Sequence, residues 1–200
     1  MSKCENHLSR TWFLNQGCKQ VPLEYSENIV RWGHPDGYFL KPNGQKAPHN
    51  FSPGAQGKNT KTHGGDYPIL RECSDKCHLL MARAFYGPRP DEAEIGVTKK
   101  RSSYFCHHLI PDRMDYRPAN LLCWLTREQH TEADRRQKAL KNVVPDGDLH
   151  LFTYERLREL QDPRTMSREN FEQELAALVK LGYHRVNPAK IMEQEPNKYC

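Results

Sequence analysis

The run Tyr104-Phe-Cys-His-His-Leu-Ile-Pro-Asp-Arg-Met-Asp-Tyr-Arg-Pro-Ala-Asn120-Leu-Leu-Cys-Trp-Leu-Thr-Arg-Glu-Gln-His130, continued by Thr131-Glu-Ala-Asp134, decides how this chain folds. Tyr104 to Leu109 is aromatic and β-prone, and Pro111-Asp-Arg-Met-Asp-Tyr-Arg-Pro118 carries two prolines and two aspartates, so a strand is expected to leave into an ordered loop. The apolar run Asn120-Leu-Leu-Cys-Trp-Leu125 suits a second strand, and Thr126 is placed to cap a helix running on to Lys141. The expected local order is strand, loop, strand, helix.

That order limits what the imidazoles can do. Neighbouring side chains on a strand point to opposite faces, so His107 and His108 cannot both hold one ion unless the strand ends or bulges there. One ligand and one substrate-facing group is the division of labour that fits. On the helix, His130 and Asp134 are one turn apart and share a face, the spacing that two ligands of one ion need. The set is hard to explain as packing and points to metal-assisted nuclease chemistry. Asp134 also reads as a solvated acid among Arg135, Arg136 and Lys138. Trp124 shares a strand face with Leu122 and is expected in the core rather than as a base-stacking platform. His78, opening an apolar helix, is expected to be a packed or capping residue outside the metal site.

The residues His107-His108-x11-Asn120-x9-His130 and the wording between them resemble the HNH, or ββα-metal, endonucleases of the phage and homing type. Upstream, Cys77-His-Leu-Leu-Met-Ala-Arg-Ala-Phe-Tyr-Gly-Pro88 is similar to the short helix that precedes the nuclease motif in that group. Gly37-Tyr-Phe-Leu-Lys-Pro-Asn-Gly44 and Gly65-Asp-Tyr-Pro-Ile-Leu-Arg71 resemble its N-terminal β-hairpins. The likeness covers residues 33 to 142. It implies an α+β fold built on a ββα-metal core, with a β-hairpin-rich segment before it and helices after it. It also implies hydrolysis of DNA phosphodiester bonds.

The roles follow position by position. His108 stands where the family has its general base, taking a proton from the attacking water. His107 stands at the first metal position and His130 at the second. Asn120 is the middle asparagine that braces the loop, and Asp134 takes the place of a third ligand that is a histidine in the colicin-type members. The ion would stabilise the charge on the leaving 3′ oxygen, with Arg113 and Arg117 neutralising the phosphate. A His/His/Asp set suits Zn, Ni or Mn. Activity with Mg or Mn is the expectation, with zinc left open.

Cysteine gives the competing reading. Seven cysteines, at 4, 18, 73, 77, 106, 123 and 200, are an odd number with no apolar leader before them, which argues against a secreted disulfide framework and for a reducing cytoplasm. Cys73-x3-Cys77 approaches a zinc-knuckle spacing, and Cys106 and Cys123 fall on the two strands of the expected hairpin. Structural zinc held there would make the chain a non-catalytic nucleic-acid-binding module, or a nuclease akin to the His-Cys-box homing enzymes. Buried free thiols are the plainer account.

Composition agrees without deciding. The chain is 36% hydrophobic and 28% charged with a net charge of +5, which suits a modest core and a polyanionic partner such as DNA. No apolar run is long enough to span a membrane. Residues 1–32 read as a lead-in anchored by Trp12-Phe13-Leu14, and residues 33–98 as turn-rich β structure with a short helix. In 33–68, Gly and Pro fill 12 of 36 positions, and the lysines and histidines there could track a phosphate backbone or simply be solvated. Lys99, Lys100 and Arg101, just before the first core strand, are better placed for phosphate contact. The core is expected over 99–142, and 143–200 as a helical region, with helices at Leu149–Leu160 and Ser167–Leu181. That region reads as a cover for the core, a DNA-binding unit or a dimer surface. The resemblance points to a phage-borne or mobile gene acting in a bacterial cytoplasm.

Overall fold

The structure, a computed structural model, describes residues 7–23, 29–51, 67–71, 76–91, 102–144 and 147–181. The protein is of the α+β class, with small antiparallel sheets and several helices. Contacts group the chain into two compact units, residues 1–124 and 125–200.

In the first unit, α1 (Arg10–Asn15) is capped by Ser9, whose side chain accepts from the Trp12 N–H. Of the Trp12-Phe13-Leu14 anchor only Phe13 is buried, stacked on Trp32 with ring centroids 4.6 Å apart. Trp12 and Leu14 are exposed, because a helix of 6 residues can turn only one narrow face inward. Strands β1 (Lys19–Gln20), β2 (Trp32–His34) and β3 (Tyr38–Leu40) form an antiparallel sheet in that order, pairing Gly33 with Lys19 on one side and with Phe39 on the other. Strands β4 (His49–Phe51) and β5 (Pro68–Leu70) form an antiparallel pair in which Asn50 faces Ile69.

Helix α2 (Cys77–Tyr86) is apolar over its inner turn and buries Cys77, Leu80, Met81 and Ala82. It lies in one hydrophobic cluster with Phe39, Leu70, Tyr116, Leu121 and Cys123. The sequence between Tyr104 and Lys141 folds in the expected order. Strand β6 (Phe105–His108) pairs with β7 (Leu121–Leu125), and a 3-10 turn at Pro118–Asn120 leads into β7. The Leu109 N–H donates to the Asn120 carbonyl at 2.9 Å and fastens the end of β6 to the start of β7. Leu122 is fully buried, but Trp124, expected on the same strand face, is half-buried and packs against the cluster that holds Leu121 and Cys123 instead. Trp124 holds φ at 59°, a left-handed conformation that costs a bulky residue of the order of 1 kcal/mol or more.

In the second unit, α3 (Arg127–Val143) starts at a capping box. The Thr126 hydroxyl accepts from the Gln129 N–H, and the Gln129 side chain accepts from the Thr126 N–H. The segment expected as one helix from Leu149 to Leu160 is two elements, a 3-10 turn at Leu149–Leu151 and α4 (Tyr154–Gln161). Thr153 makes the break by capping α4, accepting from the Arg156 N–H where a helix interior would need helical backbone. Helix α5 (Arg168–Lys180) begins at Ser167 as expected and buries Phe171 and Leu178.

A buried ion network joins these three helices. Arg136, 1% exposed, bonds Glu132 at 3.0 Å, donates to the carbonyls of Leu160 and Met166, and lies over the Phe171 ring. Glu132 also receives Arg135 and Arg168, and those bonds hold its carboxyl well below the usual range. Among the described residues no helix is long and apolar enough to cross a membrane.

Candidate metal and nucleic-acid site

The loop between β6 and β7 is held by one amide. Asn120 is fully buried; its Oδ1 accepts from the Ile110 N–H at 2.8 Å, and its Nδ2 donates to the carbonyls of Ile110 (3.2 Å) and Asp115 (2.8 Å). Three of its four hydrogen-bonding positions are used on the loop backbone, so its geometry is that of a brace. Asp115 in turn receives Arg117 through a two-pronged pair at 2.7 Å. Arg117, expected at a phosphate, is therefore already engaged with a carboxylate of its own loop.

At the end of β6 the two imidazoles part as strand geometry requires. His107 is 4% exposed, while His108 is half-buried. Burial, with the neighbouring His107 next in weight, pushes the His108 imidazole down to about 4. It is neutral at ordinary pH, and a neutral imidazole has a nitrogen lone pair for a proton.

On the first turns of α3, His130 Nδ1 lies 3.3 Å from the Asp134 carboxylate, the one-turn spacing read from the sequence. His107, His130 and Asp134 each offer one ligand atom, and these atoms all lie within 4.8 Å of one another. Two imidazole nitrogens and a carboxylate oxygen are a donor set that fits a divalent cation of the Mn, Ni or Zn kind, with water completing the shell. No other group of three or more His, Cys, Asp or Glu side chains among the described residues has this geometry.

Among the described residues the cysteines form no such group. Cys106 and Cys123 lie on the paired strands with their sulfurs 3.3 Å apart, and Cys77 is a buried thiol of the core cluster. Cys73 lies outside the described residues, as do Lys99, Lys100 and Arg101.

The surroundings of His108 hold one residue that sequence reasoning leaves out of the site. His78, on the first turn of α2, packs edge-on against His108 with ring centroids 5.1 Å apart, and Tyr67 lies 4.9 Å from His78. Arg113 and Lys76 both lie over the Tyr67 ring, at 4.8 and 4.7 Å. Twenty-nine residues separate the two histidines in sequence, so spacing carried no signal. The one available sign was a polar residue at the head of an otherwise apolar helix.

Comparison with known proteins finds no matching family model, and no curated protein or solved structure similar to the chain.

Proposed function

We propose that this protein is a metal-dependent endonuclease of the HNH type, hydrolysing phosphodiester bonds of DNA on a ββα-metal core. The observation that carries the reading is the set His107, His130 and Asp134, with a neutral imidazole, His108, on the residue next to the first of them.

The chain's own groups account for the remaining steps. Asn120 keeps the β6–β7 loop in place, so the backbone around His108 is fixed before substrate arrives. His108 takes a proton from a water molecule as the oxygen of that water attacks phosphorus, and the P–O3′ bond breaks to leave a 3′ hydroxyl after protonation. The phosphate's negative charge raises the proton affinity of a buried imidazole, which brings His108 back toward the range where a base is effective. Arg113 supplies positive charge from the loop beside it. His107, His130 and Asp134 would hold a divalent ion, which when bound would supply charge stabilisation for the leaving oxygen.

The competing reading is a zinc-stabilised module without catalysis. Substitution of His108 separates the two. His108→Ala should leave fold and metal binding intact and abolish cleavage, because it removes the base and not a ligand. Loss of fold on that substitution, or cleavage that survives it, would defeat the nuclease assignment.

A further inference from the structure

The first turn of α2 has features that packing does not explain. The N-cap residue, Lys76, makes no side-chain capping bond, and the first turn of the helix holds no acidic residue of its own, so among the described residues the positive end of the helix dipole faces cations rather than a carboxylate. Two cations, Lys76 and Arg113, converge on one ring, Tyr67, although like charges repel. On the same turn, His78 is 6% exposed, and its Nδ1 is buried without a hydrogen-bond partner among the described residues. A buried polar atom left without a partner costs about 1–3 kcal/mol, and a bound group that reached it would recover that cost.

We propose that Lys76, His78 and Arg113, gathered around the Tyr67 ring, form a phosphate-binding site beside His108. The phosphate bound there belongs to a nucleic-acid strand; that part rests on the nuclease reading, whereas the anion site itself does not. The geometry assigns each group a task. Lys76 and Arg113 supply two charges, and the helix end supplies backbone dipole. His78, kept neutral by burial first and by His108 and Lys76 after it, supplies hydrogen bonding without adding a third charge. A phosphate here would lie one imidazole away from the proposed base, so the site would set which phosphodiester meets His108.

The test uses the full chain with carbon-13-labelled histidine, titrated with inorganic phosphate while the imidazole resonances are followed by NMR. The expected result is a saturable shift of the His78 and His108 signals, with the exposed His150 unmoved, and affinity at least tenfold weaker in both Lys76→Ala and Arg113→Gln. Lys76 is exposed, so its substitution leaves the core untouched. Unmoved His78 and His108 signals, or unchanged affinity in both variants, would overturn the site. A short DNA duplex added to phosphate-saturated protein should reverse the shifts. Phosphate binding that the duplex does not displace would overturn the nucleic-acid assignment, and displacement without cleavage under any metal would retain the site while the nuclease reading falls.

Discussion

The imidazole of His108 stands edge-on to that of His78, ring centroids 5.1 Å apart at an interplanar angle of 65°. Two imidazoles this close and this buried are held neutral. Burial and His107 push His108 from its ordinary value of 6.5 to about 4, and burial, His108 and Lys76 hold His78 well below its own. The unfolded chain therefore binds protons at these positions more readily than the folded one. Stability drawn from keeping them neutral is complete above about pH 6.5 and is lost as pH falls toward 4. The melting temperature should fall over that window, and His108→Gln should flatten the fall. Thermal unfolding followed by circular dichroism at half-unit pH steps checks this; equal slopes for both proteins would contradict it.

Asn120 should be among the costliest polar positions in the first unit. Asn120→Ala strips the side-chain acceptor from the Ile110 N–H and one donor each from the Ile110 and Asp115 carbonyls in a fully buried setting, while the Ile110 carbonyl keeps the Asp112 N–H. The expected loss is about 2–4 kcal/mol in urea unfolding. Asn120→Asp should not rescue it, because the two carbonyls need a donor.

Gly37 tests whether the β2–β3 turn and the β6–β7 loop depend on one another. Its φ is +81°, and a Cβ there would lie 2.7 Å from Arg117 Cγ and 3.1 Å from the Arg117 backbone nitrogen. Gly37→Ala should lose about 2–3 kcal/mol and disturb the segment leading into Asn120. Gly87, at φ +82° with open space for 4 Å around the position a Cβ would take, isolates the backbone cost. With ψ at −179° the backbone there is in a region essentially reserved for glycine, so Gly87→Ala should lose about 1–3 kcal/mol from the backbone alone. Urea unfolding of the two variants side by side measures the difference.

Arg136 carries the corresponding role in the second unit. Arg136→Ala leaves Glu132 without its buried partner and frees the Leu160 and Met166 carbonyls, for an expected loss of about 3–5 kcal/mol. Arg136→Lys keeps the charge but not the planar fork, and should recover less than half of that. Chemical denaturation of the two variants beside the wild type measures both.

Much of this was legible in the residues. The β-prone run before His107, the paired prolines of the loop and the Thr126 cap fixed strand, loop, strand and helix, because each is a local signal that the tertiary structure did not override. The one-turn spacing of His130 and Asp134 read directly as a pair. Less legible was anything that depends on contacts distant in sequence. Trp12 and Leu14 look like core residues, yet a helix this short buries only Phe13. Leu149 to Leu160 keeps helical periodicity across Phe152, and only the capping by Thr153 breaks it. Arg117 reads as a phosphate ligand, and its pairing with the Asp115 carboxylate two residues back carries no sign in the sequence spacing. His78 meets His108 only through the packing of α2.

Asp134 separates a ligand from a solvated acid. With a metal bound, His130→Ala should weaken Mn binding by at least about a hundredfold and Asp134→Ala by about tenfold, measured by isothermal titration calorimetry. Unchanged affinity in Asp134→Ala would return that residue to the helix surface.

Cleavage of supercoiled plasmid by the purified protein, with Mg, Mn, Ni, Zn or EDTA and beside His108→Ala, tests the central claim most directly. Metal-dependent conversion to nicked or linear DNA, stopped by EDTA and absent with His108→Ala, is the expected result. Folded, metal-binding protein that leaves the plasmid intact with every ion, or an equally active His108→Ala, would contradict it.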